Sequence, residues 1–150
     1  TNCDAQLVYP YGLKMRFMDD MTAAKMNPHP GVRGGHGTLL VGSEGWAMVS
    51  RDGWKMSSEE LRQKAKNPGP KRLPVSGDQI KNFVDCVLSR KTPVDDLHSA
   101  VRSDILCHLI DISVRTGRKI DWDDSQEKIV GDKQAEAMMH REMREPWQLD

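Results

Sequence analysis

The sequence lacks the features that would direct it to nucleic acid or to a membrane. Its 22 Lys and Arg residues balance 22 Asp and Glu residues, so no excess of one charge attracts a polyanion or an anionic bilayer. No apolar run approaches the roughly 20 residues that a membrane-spanning helix needs. We therefore expect neither a nucleic-acid nor a membrane partner. The N-terminus lacks the basic start and apolar stretch of a signal peptide.

The chain is also poor in cysteine. Cys3, Cys86 and Cys107 are widely spaced and odd in number, which argues against a disulfide framework and against structural zinc. Buried free thiols are the expected state. The sequence has no GxGxxG after a strand, no nucleophile elbow and no HExxH. No self-sufficient enzyme is therefore indicated by motifs.

The N-terminal half carries strand patterns. Residues 5–18 hold two extended runs around "PYG" and predict a hairpin. Residues 19–37 contain too much Gly and Pro for regular structure. From Thr38 to Ser57, three short apolar runs separated by "GSEG" and "RDG" predict an antiparallel meander.

The C-terminal half carries helix patterns. After the short capped helix "SSEELRQKA", Ser76 with Gln79 forms a capping-box signature that opens a helix ending near Lys91. A second helix is predicted from Leu97 to Thr116, with Gly117 as its C-cap. This helix is apolar on most sides, so we expect it to be mostly buried.

The end of the chain predicts a short extended piece, "RKIDWD", and then a last helix. Asp132 is the expected N-cap of that helix, which runs through Met139, and Trp147 is expected to pack back onto the body. Hairpins and helices alike have apolar faces that need cover. We therefore predict one α+β domain over residues 1–150, with an open, mostly antiparallel sheet (hairpin plus meander) packed against two or three helices.

The strip Asp104, His108 and Asp111 follows i, i+4, i+7 spacing on the second helix. Two carboxylates and an imidazole on one face would suit a metal ion or a general base. The alternative is a pair of helix ion pairs, Asp104 with His108 and Asp111 with Arg115. We favour the ion pairs, since so short a motif arises often by chance.

Two further groups are candidates for facing a ligand. The glycine-rich loop "GVRGGHG" presents Arg33 and His36, either as a plain surface loop or as a lid over a ligand. Trp46 and Trp54 on the meander strands offer aromatic faces on which a sugar ring can stack. The alternative for both tryptophans is a place in the core or in a subunit interface.

The order of several segments resembles a known family. The segments are "VYPYGLKMRF", "GTLLVGSEGWAMVSRDGW", "IKNFVDCVLSRKTPVDD", "RSDILCHLIDISVRTGRKIDWD" and "EKIVGDKQAEAMM…MREPW". Together they resemble the C-terminal domain of the Gfo/Idh/MocA oxidoreductases, and most of all the subgroup abundant in Bacteroidetes and Planctomycetes. The chain departs from that subgroup in having Val101 before Arg102 and Glu136 after Ala135.

The resemblance implies an oxidoreductase that works with NAD or NADP. The cofactor would lie in an N-terminal Rossmann domain, which carries the glycine fingerprint and the catalytic Lys, while a catalytic His typically precedes the part represented here. None of these has a match in this chain, so the resemblance assigns it no catalytic, cofactor-binding or metal-binding residue. Any export signal would likewise lie outside this chain, which leaves the compartment open.

Our hypothesis is the substrate-side and oligomerisation domain of an NAD(P)-dependent sugar or polyol oxidoreductase. Its expected partners are the substrate, the missing Rossmann domain and further copies of itself, joined through the sheet. The alternative is a stand-alone binding or assembly module without redox activity.

Overall fold

The computed structural model describes residues 3–26, 36–67, 69–70 and 72–147. Over these ranges the strands are β1 (Asp4–Val8), β2 (Lys14–Met18), β3 (Thr38–Gly42), β4 (Gly45–Ser50), β5 (Gly53–Met56), β6 (Asp121–Asp123) and β7 (Lys128–Val130). The helices are α1 (Asp20–Met26), α2 (Glu59–Lys66), α3 (Gln79–Ser89), α4 (Leu97–Thr116) and α5 (Lys133–Ala137). The predicted open α+β class is confirmed. The sheet is divided, however, into β1–β2, β3–β4–β5 and β6–β7.

Two compact units share the chain. The first contains Thr1–Asp4 and Phe17–Val94, and the second contains Ala5–Arg16 and Asp95–Asp150. Along the described part of the chain, no helix is long and apolar enough to cross a membrane.

The first unit contains the predicted meander and an additional helix. β4 pairs antiparallel with β3 on one side and with β5 on the other. The expectation of irregular structure over residues 19–37 is wrong for α1, because Asp19 caps this helix by accepting the backbone N–H of Thr22 at 2.9 Å. The segment from residue 27 to residue 35 lies outside the described residues.

Helix α3 forms as predicted but begins with a different cap. Asp78 is the N-cap and accepts the backbone N–H of Lys81 at 2.9 Å. Ser76, the predicted cap, instead exchanges hydrogen bonds with the backbone of Asp78. Both residue types are good caps, and in the structure Asp78 has the extended backbone of an N-cap. The helix ends at Ser89, and its C-cap Arg90 has a left-handed backbone (φ 59°).

The second unit is built around the end of α4. Ile112, Ile129 and Ala135 are buried together, and Leu109, Ile120, Trp122 and Met138 pack around them. Strand β7, which the sequence did not predict, supplies Ile129 to this cluster. Asp132 caps α5 as predicted, accepting the N–H of Ala135 at 3.0 Å.

Helix α4 has the predicted bounds, with Gly117 as a left-handed C-cap (φ 64°). The expectation that it is mostly buried is wrong, since its buried residues are Ile110 and Ile112. Burial needs a partner surface, and the first half of α4 leaves Leu97 and Val101 exposed.

Two smaller expectations of burial also fail. Cys107 is exposed and Cys3 and Cys86 are only half-buried, although all three are free thiols as expected. Trp147 is 65% exposed, so its indole does not pack back onto the body.

Candidate functional site

An open groove lies in the first unit, where the β3–β4 hairpin faces α2. Residues 40–47 form one wall, and Leu61 and Lys64 form the other. Its volume is about 420 Å³, and it is widely open to solvent. The indole of Trp46 is half-buried in this wall. We call this feature the Trp46 groove.

At one end of the groove, the backbone of Gly45 lies close to the side chain of Ser57. Ser57 accepts the backbone N–H of Trp46 through Oγ at 3.1 Å, and the Ser57 N–H donates to the Trp46 carbonyl at 2.9 Å. Gly45 has φ 142°, and a Cβ at this position would collide with Ser57 Oγ. Glycine is therefore required for the turn to meet the start of α2.

An ion pair ties the two walls of the groove together. Lys64 Nζ donates to Glu44 Oε2 at 2.9 Å and lies 3.3 Å from Glu60 Oε1. The hydrogen bond from Lys64, and then its charge, hold the pKa of Glu44 below its usual value. The hydrogen bonds that Lys64 donates to Glu44 and Glu60 raise the pKa of Lys64. The ammonium group is thus balanced by two carboxylates.

The lining of the groove combines apolar and charged side chains. Trp46, Val41 and Leu61 offer an apolar surface, and Glu44 offers a carboxylate at the rim. Such a groove can hold a small molecule by stacking and hydrogen bonding.

The two candidate tryptophans are not brought together. Val41 lies opposite Trp46, and Val49 lies opposite Trp54. Because alternate residues of a strand point to opposite faces of the sheet, Trp46 and Trp54 occupy opposite faces of the meander. Trp54 is 47% exposed and takes no part in lining the groove.

Of the two candidate residues in the glycine-rich loop, the structure describes only His36. His36 is exposed just before β3, and Arg33 lies outside the described residues. The structure therefore gives no geometry for a lid formed by these two side chains together.

The polar strip of α4 forms two side-chain pairs along the helix. His108 Nε2 lies 3.4 Å from Asp104 Oδ2, and Arg115 Nη1 lies 3.3 Å from Asp111 Oδ2. All four side chains are largely exposed. Within the ranges that the structure describes, no three side chains of His, Cys, Asp and Glu are grouped to hold a metal ion.

Comparison with protein families decides where the chain belongs. Residues 52–149, more than half of the sequence, match the C-terminal alpha/beta domain of the Gfo/Idh/MocA oxidoreductase family. The chain belongs to this family. No curated protein and no solved structure is similar enough to count as a match.

The match to this oxidoreductase domain runs from the turn before β5 to the tail. It includes α2, and hence Leu61 and Lys64, but not the wall formed by residues 40–47. The recognised segments after β5 are therefore confirmed as those of a Gfo/Idh/MocA C-terminal domain. The subgroup remains a prediction.

Of the candidate residues predicted from the sequence, Trp46 lines the groove, whereas its neighbours Glu44 and Lys64 were not predicted. Glu44 and Lys64 are 20 positions apart, and only the fold of the meander onto α2 brings them together. Gly45 in a turn between two apolar runs was the one local signal for a close approach of backbone.

Proposed function

We propose that this chain is the substrate-side domain of an NAD(P)-dependent oxidoreductase that acts on a sugar, a polyol or a related hydroxy compound. Membership of the Gfo/Idh/MocA family is the observation that carries the proposal. The Trp46 groove supports it, because its lining suits a neutral, hydroxylated ligand.

The residues of this chain do not fit a nicotinamide cofactor. The sequence has no glycine fingerprint between a strand and a helix, which is the motif that receives a dinucleotide phosphate. We place NAD or NADP in an N-terminal Rossmann partner domain. Bound there, the cofactor would exchange hydride with a carbon that bears a hydroxyl group.

The work of this chain is to bind and orient the substrate. The indole of Trp46 would stack on the C–H face of a sugar or polyol, and the Glu44 carboxylate would accept a hydrogen bond from a substrate hydroxyl group. Lys64 positions Glu44 and keeps it ionised. The apolar wall would exclude water from one side of the substrate.

Saturation-transfer NMR on the chain, with a panel of sugars and polyols, tests the groove. We expect saturable binding of at least one compound, and we expect Trp46→Ala to weaken it by about tenfold or more, the loss of one stacking contact. Trp54→Ala is the matched control, since Trp54 lies on the other face of the meander. Binding that Trp54→Ala abolishes and Trp46→Ala leaves intact would refute the assignment.

A second candidate function is a stand-alone assembly module. The other face of the meander supports it. Leu40, Val49 and Trp54 share this face and are 58%, 49% and 47% exposed. An exposed apolar sheet face is typical of a surface that contacts another protein. An oligomer that binds none of the compounds and shows no nicotinamide-linked activity would favour this function.

A further inference from the structure

One face of α2 is turned towards the Trp46 groove. Leu61 and Lys64 line the groove. Glu60, four positions before Lys64, lies on the same side of the helix, because an α-helix turns by about 100° per residue. Glu60 Oε1 lies 3.3 Å from Lys64 Nζ. Glu60 does not itself line the groove, but its carboxylate stands beside the lysine that does.

The remaining charges of α2 lie on the other side of the helix. Glu59, Arg62 and Lys66 lie opposite Lys64 by the same helical spacing. Arg62 Nη2 donates to Glu59 Oε1 at 2.7 Å. The hydrogen bond from Arg62 is the largest cause that lowers the pKa of Glu59 to about 2, and the charge of Lys66 adds to the shift. The surplus positive charge of this face is therefore directed away from the groove.

The charges on the groove side do not cancel. Among the described residues that line the groove, Glu44 and Lys64 are the charged ones. They form a pair at 2.9 Å, and Glu60 contacts the same ammonium group from the helix. One positive charge thus stands between two carboxylates. The three groups together carry one net negative charge at neutral pH.

We propose that Glu60 sets the charge preference of the Trp46 groove, giving it a negative rim that admits neutral hydroxylated compounds and rejects those with a carboxylate or a phosphate group. Without Glu60, Lys64 and Glu44 would form a neutral pair. With it, the lysine is fully engaged and the remaining charge repels an anion. Specificity here comes from discrimination against one class of ligand. The proposal rests on the proposed function, since it concerns the ligand of the same groove.

The size of the effect follows from the exposure of the three side chains. Lys64, Glu44 and Glu60 are 59%, 71% and 80% exposed, so water and salt screen their charges. One net charge about 5 Å from an anionic group would change its affinity by about fourfold at the dielectric constant of water. We expect this factor at an ionic strength of about 0.01 M. It should disappear near 1 M, where the Debye length is about 3 Å.

Paired ligands test the proposal. Saturation-transfer NMR compares a neutral compound with its carboxylate counterpart: glucose with glucuronate, galactose with galacturonate, and glucitol with gluconate. We expect the neutral member to bind about fourfold more tightly at low salt. Glu60→Gln should remove most of this difference and leave the affinity for the neutral compound within about twofold. Glu59→Gln is the matched control, because it makes the same charge change on the opposite side of α2.

The outcomes for the groove and for its charge are separate. An acid that binds the wild type as tightly as its neutral counterpart would overturn the proposal and leave the proposed function standing. A preference that Glu60→Gln leaves unchanged, or that Glu59→Gln removes equally, would also overturn it. Binding of no member of any pair would instead refute the proposed function.

A measurement without any ligand decides the charge of the rim in either case. Relaxation of the Trp46 indole N–H by a cationic and by an anionic nitroxide reports the charge around it, and Trp46→Phe identifies the signal. We expect the cationic nitroxide to act more strongly on the wild type and the two to act almost equally on Glu60→Gln. The Trp54 indole, on the other face of the meander, should respond alike in both proteins. Equal action of the two nitroxides at Trp46 of the wild type would contradict a negative rim.

Discussion

At the scale of single residues, Asp19 joins the start of β1 to α1. Its Oδ2 accepts the Cys3 N–H at 2.8 Å and the Thr22 hydroxyl at 3.0 Å, while Oδ1 accepts the Thr22 N–H at 2.9 Å. These hydrogen bonds, the one from Thr22 N–H first, lower the pKa of Asp19 to about 2. The ionised form is therefore favoured by folding.

This pKa shift predicts how stability changes in acid. The folded pKa lies below the ordinary value of 3.8, so the stabilisation by Asp19 is complete above pH 3.8 and is lost as the pH falls towards 2. Asp19→Asn keeps only one of the two acceptor oxygens and carries no charge at any pH. The stability difference between wild type and Asp19→Asn, from denaturant unfolding at pH 5, 3 and 2, should shrink as the pH falls. A difference that is constant with pH would show that the charge contributes nothing.

Gly45 gives a second prediction at this scale. Gly45→Ala should destabilise the first unit by about 1–3 kcal/mol, because the backbone is left-handed and the Cβ collides with Ser57 Oγ. Gly69→Ala is the control, since a Cβ at Gly69 meets nothing within 4 Å and the backbone there has no positive φ. Thermal unfolding of both variants measures the effect. Equal midpoints for the two would show that the contact between Gly45 and Ser57 is not tight.

At the scale of helices and strands, the position where an element ends depends on nearby residues, whereas its burial depends on residues distant in sequence. The bounds of α4 were predicted correctly because Gly117 acts within one turn of the helix it terminates. The burial of α4 was predicted wrongly because it depends on surfaces distant in sequence. Helix α1 was missed because the Gly and Pro residues between positions 28 and 37 were taken to rule out regular structure over the whole segment from residue 19 to residue 37.

Strand β7 was also not predicted from the sequence, and its two faces offer a test of the core of the second unit. Ile129 is 3% exposed and packs with Ile112 and Ala135, whereas Val130 on the opposite face is 49% exposed. Ile129→Ala should cost about 2–5 kcal/mol of unfolding free energy, and Val130→Ala should cost about 0.5 kcal/mol or less. Chemical denaturation measures both values. Similar losses for the two variants would contradict the assigned core.

At the scale of the whole molecule, the sequence predicted the class better than the site. The α+β class follows from the order of hairpin, meander and helices. The candidate site was predicted only at Trp46, because which face a side chain occupies depends on strand register, and Trp54 lies on the opposite face. The Glu44–Lys64 pair depends on the meander packing against α2 and has no local signature.

Family membership and the Trp46 groove together support the proposal that this chain is a substrate-side domain in a nicotinamide-dependent oxidoreductase. The account assigns hydride transfer to a partner domain and substrate binding to this chain. It therefore predicts that changes in the groove affect the use of substrate and not the binding of the nucleotide.

The most direct test is steady-state kinetics on the protein encoded by the whole gene, with NAD or NADP and a panel of sugars and polyols. We expect nicotinamide reduction with at least one of them, and we expect Trp46→Ala to raise the KM for that substrate by about tenfold while the KM for the nucleotide stays within twofold. Trp54→Ala should leave both constants unchanged. A protein that binds no nicotinamide nucleotide and oxidises none of these compounds would contradict the account.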